Sequence, residues 1–137
     1  MVFDRVVDVD TIFDAYANGA HDPRAIQRFL LATRSWTQAP RYVVFVGDAD
    51  RDYRDALGEP RNRVAPMLLR SETGLAAADA LLADVDGDGA PDLAYGRIPA
   101  HSDDDVTAYL ARAAAFSGPG RAVFASDVDD PKGGALA

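Results

Sequence analysis

Tyr42-Val43-Val44-Phe45-Val46, stopped by Gly47-Asp48, is the stretch on which the fold turns. Five consecutive β-branched and aromatic residues are too few for a helix and apolar on both faces, the pattern of a central strand in a parallel sheet. Upstream, Asp22-Pro23 predicts a helix start, with the carboxylate at the N-cap and proline at the first helical position. Ile26, Phe29, Leu30 and Thr33 follow at helical spacing, Trp36 stands near the end, and Pro40 closes the segment. Downstream, ADRDYRDALGEPRNR (49–63) is polar and turn-rich and reads as a loop. Val64–Leu69 predicts a second strand or extended segment, Leu75–Leu82 fits either a short helix or an extended stretch, and Asp92–Gly96 predicts a short strand. Ser102 then offers an N-cap, with Asp103, Asp104 and Asp105 on the positive end of a helix dipole. Val106, Tyr109, Leu110, Ala113 and Phe116 form one apolar stripe, which Ser117-Gly118-Pro119-Gly120 ends. Ala122–Ala125 predicts a further strand. Helices alternating with apolar strands imply an α/β fold, a parallel sheet flanked by helices. Tyr42, Phe45, Tyr109 and Phe116 are its candidate core aromatics.

The 137 residues suffice for one ordinary domain, and 48% apolar content supports a sizeable core. The absence of cysteine excludes disulfides, thiolate metal sites and a cysteine nucleophile within these residues. The two histidines, His21 and His101, stand far apart, against a multi-histidine zinc site. Net charge is -8, and all but two of the 22 acidic residues are aspartate. Such a surface repels phosphates, which argues against nucleic acid, and its short carboxylates suit hard cations. The apolar runs are too short for a membrane span, and MVFDRVVDVD carries acids where a signal peptide has a long apolar stretch.

The sharpest local motif is Asp84-Val85-Asp86-Gly87-Asp88-Gly89-Ala90-Pro91-Asp92. Aspartates at loop positions one, three and five aim oxygens at a common centre, and Gly89 at position six permits a sharp turn. The Ala90 carbonyl and Asp92 at position nine extend the candidate ligand set for calcium to Asp84, Asp86, Asp88, Ala90 and Asp92. Tyr95 stands where an EF-hand would place its bidentate glutamate, so this is a calcium-loop-like turn without the EF-hand frame. The alternative is a solvated acidic turn. Asp8-Val9-Asp10 after Val6-Val7, with Gly47-Asp48 and Asp52, faintly resembles the motifs of haloacid-dehalogenase-like phosphatases. Ile12 in place of the expected threonine, the short spacing between motifs, and Lys132 as the single lysine weigh against that reading. Asp48, just after a strand, is as well explained by capping the following loop. His101 reads as an exposed loop residue near a helix start, and His21 as a turn residue beside Asp22.

Four ordered segments carry a family resemblance: DVDTIFDAYANGAHDPRAIQRFLLAT; Trp36 followed by PRYVVFVGDADRDYR; ADALLADVDGDGAPDLAYGRIPA; and DDDVTAYLARAAAF. Together they resemble the catalytic domain of the gingipain family of cysteine peptidases over nearly the whole chain. The resemblance implies a caspase-like α/β domain of two subdomains, with residues 1–117 as the first and 118–137 as the first strand and loop of the second. The family's catalytic histidine and cysteine follow later, at the ends of successive strands, so the implied role of this chain is scaffold. The implied intramolecular partner is the remainder of the catalytic domain. In an intact relative a thiolate attacks the scissile carbonyl of a protein or peptide substrate, a histidine shuttles the proton, and backbone amides stabilise the oxyanion. Some members orient that histidine with a carboxylate from the strand end that here reads FASDVDD, which makes Asp127 the nearest candidate and Asp129 the second. The resemblance also implies an extracellular or cell-surface setting and structural calcium. The rival expectation is a non-catalytic, calcium-stabilised interaction domain.

Overall fold

The computed structural model describes residues 5–50, 52, 56, 62–71 and 74–118. Two short helices come first. Helix α1, Val9–Ala17, starts at Asp8, whose carboxylate accepts the Asp10 N–H at 2.9 Å. It ends at Asn18 in the left-handed region (φ 52°), followed by Gly19 at φ 80°. Helix α2, Pro23–Thr33, starts as its Asp-Pro pair predicts, with the Asp22 carboxylate accepting the Arg24 N–H at 2.9 Å. It stops at Thr33, so Trp36 lies beyond the helix with its ring edge-on to Phe29. Ile12 and Phe13 of α1 meet Ala25, Ile26 and Leu30 of α2 in one buried cluster, each large apolar side chain contributing roughly 1.5–3 kcal/mol.

Strand β1, Tyr42–Val46, pairs in parallel with β4, Ala94–Ile98, in the register Tyr42↔Ala94 to Val46↔Ile98. Between them run an antiparallel hairpin of β2, Leu68–Ser71, and β3, Gly74–Ala77, and the one-turn helix α3, Ala80–Ala83. Helix α4, Asp103–Ala115, follows β4. Thus Leu75–Leu82 divides into an extended half and a helical half, and the strand expected at Asp92–Gly96 sits two residues later. The α/β architecture with a parallel sheet stands. Phe45, Leu82, Ala83, Val85 and Leu93 complete the core against the α1–α2 pair.

Several expectations are corrected. Of the four candidate core aromatics only Phe45 is buried; Tyr42 and Phe116 are 69% and 68% exposed, and Tyr109 is exposed as well. Among the described residues, α1, α2 and α3 pack against the Phe45 side, while α4 buries no side chain and its apolar stripe lies half open. Val6 and Val7 are exposed and non-strand, and Asp8 serves as the α1 N-cap, which removes the strand-end nucleophile on which the phosphatase reading depended. The strand expected at Ala122–Ala125 and the carboxylates of Asp127 and Asp129 lie outside the described residues, as does most of the 49–63 loop. Among the described residues no helix is long and apolar enough to cross a membrane.

Candidate functional site

The acidic loop hangs between α3 and β4, two elements fixed by the core. Leu82 and Ala83 are fully buried, and Gln27 of α2 donates its side-chain amide to the carbonyls of Leu81 and Asp84. The Asp92 N–H donates to the Ala83 carbonyl at 2.9 Å, closing the loop at its base. Asp84 is the hub. It is 4% exposed, its Oδ1 accepts the N–H groups of Gly87 (2.8 Å) and Asp88 (3.2 Å), and its Oδ2 accepts that of Gly89 (3.0 Å). Gly87 and Gly89 take φ values of 79° and 92°, which curl the loop around that carboxylate. Asp86 accepts the Asp88 N–H at 3.2 Å, and Asp88 accepts the Ala90 N–H at 2.8 Å.

Ligand oxygens of Asp84, Asp86 and Asp88 lie within 4.8 Å of one another. Oxygens on opposite sides of a calcium ion at about 2.3–2.6 Å stand about 4.6–5.2 Å apart, so the spacing and the hard donor set fit such a cation. Of the five candidate ligands, then, the structure brings these three together. Asp92 is engaged differently: its Oδ2 accepts the N–H groups of Val85 (2.9 Å) and Asp86 (3.3 Å), and its Oδ1 faces Arg34 at 3.5 Å. Ala90 supplies its N–H to Asp88.

A second cluster forms where β1 and β4 end. The Gly47 N–H donates to the Ile98 carbonyl at 2.9 Å and the Asp48 N–H to that of Ala100 at 3.0 Å, which carries the ladder past both strands. Gly47 sits at φ 141°, and a Cβ there would stand 2.5 Å from the Cβ of Arg63, so only glycine fits. Among the described residues no backbone N–H donates to the Asp48 carboxylate, which meets His101 Nε2 at 2.8 Å. His101 is exposed, as its sequence position implies. Arg97 of β4 forks onto Asp79 with two 2.7 Å bonds and donates Nη1 to the carbonyls of Gly47 (2.8 Å) and Val64 (3.0 Å). Sequence reasoning missed Arg97 and Asp79 as a pair. The available signal was an arginine inside an apolar strand, which requires a nearby carboxylate. At the start of α4, Ser102 and Asp105 form a reciprocal capping box. The Ser102 hydroxyl, then the His101 backbone N–H, hold the Asp105 carboxyl below its ordinary range.

The model of Peptidase family C25 matches residues 4–132. The chain belongs to this family, the gingipain family of cysteine peptidases. Neither the curated proteins nor the solved structures include a match to it. The family is caspase-like, in agreement with the helix-flanked parallel pair described above. The C25 match spans both the acidic loop and the strand-end cluster; the loop lies wholly within one of the segments that carried the resemblance, while His101 and Val64 of the cluster lie between those segments.

Proposed function

We propose that this chain is the scaffold half of a gingipain-like cysteine endopeptidase whose thiol and imidazole come from residues outside it. The single observation that carries this reading is the C25 match over residues 4–132 in a sequence with no cysteine. Residues 1–117 are the first subdomain and 118–137 open the second, whose remainder is the intramolecular partner. Peptide-bond hydrolysis follows the family's chemistry: thiolate attack, proton transfer through histidine and oxyanion stabilisation by backbone amides. Asp127 is the candidate carboxylate behind that histidine; there it would fix the ring and favour its protonated form. Protein or peptide substrates and an extracellular or surface setting belong to the same reading. The test is chemical. The expected outcome is a downstream coding sequence with a histidine-glycine turn and a strand-end cysteine, and a longer product that cleaves peptides until its thiol is alkylated. The 137-residue chain alone cleaves nothing. Cleavage by this chain in a clean preparation would overturn the reading.

The acidic loop is proposed as a structural calcium site with Asp84, Asp86 and Asp88 as ligands. Grouped carboxylates repel one another without a cation, and an ion that binds the folded state adds stability by mass action. Millimolar calcium is expected to raise the melting temperature and Asp86→Ala to abolish the rise; melts identical with calcium and with chelator would remove the site. A second reading, a calcium-stabilised interaction domain without catalysis, shares every residue of this chain with the first. A downstream sequence lacking the histidine and cysteine would select it.

A further inference from the structure

One side chain reaches three of the segments that meet at the carboxyl end of the sheet. Arg97 is only 13% exposed, its guanidinium carbon lies 5.6 Å from the Phe45 ring centre, and its Nε, Nη1 and Nη2 all donate to protein oxygens. Nε and Nη2 hold the two carboxylate oxygens of Asp79; Nη1 holds the carbonyls of Gly47 and Val64. Four of the five N–H groups of a guanidinium are thereby committed, leaving no free pair to fork onto a ligand. Arg97 therefore acts through position.

Its acceptors belong to the turn leaving β1, the return of the long loop and the residue ahead of α3. The turn is the constrained member, because Gly47 combines φ 141° with the Arg63 side chain packed where a Cβ would stand. Beyond it the Asp48 carboxylate and His101 Nε2 close the gap between the two strand ends at 2.8 Å. Ligands of α/β sheets bind outside this end of the strands.

We propose that Arg97 is a positioning residue. By tying the Gly47 and Val64 carbonyls to Asp79, it sets the height and direction of the Gly47-Asp48 turn, and through it the Asp48–His101 pair, on the rim of the sheet. That this rim faces a peptide substrate rests on the peptidase reading above; the positioning role does not.

The test is amide hydrogen exchange and histidine ring NMR on the full chain. Arg97→Gln loses the fork and is expected to speed exchange at the Gly47 and Asp48 amides about tenfold, with Ile26 and Leu30 in α2 unchanged. The His101 ring signals move with them. Arg97→Lys keeps the charge opposite Asp79 without the fork and restores part of the protection; it is also the milder variant should Arg97→Gln not fold. Arg34→Gln, at the Asp92 contact, leaves the rim amides as they are. Unchanged exchange at Gly47 and Asp48 in both Arg97 variants would overturn the proposal. So would equal acceleration at every amide, which reports global stability alone. Because no step reads peptidase activity, failure of the enzymatic reading would leave this result standing.

Discussion

Asp84→Asn separates two opposing effects in the acidic loop. The native carboxylate is nearly fully buried and accepts three backbone N–H groups, two on Oδ1 and one on Oδ2. Asparagine keeps one acceptor oxygen and turns an NH₂ group toward the other donors, so at least one N–H, and as many as two, loses its acceptor. Hydrogen bonds to a charged group contribute about 1.5–3 kcal/mol each, and an orphaned buried donor adds a desolvation cost. Against this, removing one charge relieves repulsion from two neighbouring carboxylates 4.8 Å away or closer, about 1 kcal/mol for each pair in a water-like dielectric. The lost bonds win. The variant is expected to be less stable by about 2–4 kcal/mol, a melting temperature lower by about 8–15 °C for a domain of this size. Asp86→Asn is the matched comparison: exposed, with one N–H at 3.2 Å, it loses little in bonding and gains the same relief. Its melt in chelator stays within about 1 kcal/mol of the parent chain. Calorimetry of both variants in chelator decides the matter. If Asp84→Asn melts no lower than Asp86→Asn, Asp84 is not the hub of the loop and the argument fails.

Gly47→Ala introduces a side chain at φ 141° against Arg63 and is expected to destabilise the chain by about 2–4 kcal/mol in a denaturant titration; a change under about 0.5 kcal/mol would contradict the tight turn. The Asp105 carboxyl is held below its ordinary value in the folded chain, so its contribution is present above the unfolded value and is lost as pH falls through the lower, folded one. Far-ultraviolet dichroism is therefore expected to show α4 fraying below about pH 4 and a smaller acid-dependent change in Asp105→Asn; equal acid responses would refute the role of the capping box.

Local chemistry was legible where it was self-contained. Asp22-Pro23 and Ser102 with its three aspartates start helices because each cap is completed within four residues. The turn of Asp84–Asp92 was legible for the same reason: its glycines and carboxylates bond one another. Burial was not legible, because apolarity states what a side chain prefers and not which face a neighbour covers. Tyr42 and Phe116 belong to apolar patterns yet stand in the open. Helix α1 went unread because its start lies in Asp8-Val9-Asp10, a string that equally suggests a strand end. The Asp79–Arg97 and Asp48–His101 pairs were invisible because their partners lie 18 and 53 positions apart and meet only once the sheet has formed.

The register of the parallel pair also constrains how the chain reaches its structure. Tyr42 finds Ala94 only after the hairpin, α3 and the acidic loop have been traversed, so closing the sheet requires ordering an excursion of about fifty residues. The α1–α2 pair, joined by five residues, closes without that entropic barrier. A protease nick anywhere from Arg63 to Met67 would cut the covalent route between the two strands while leaving the helical pair whole.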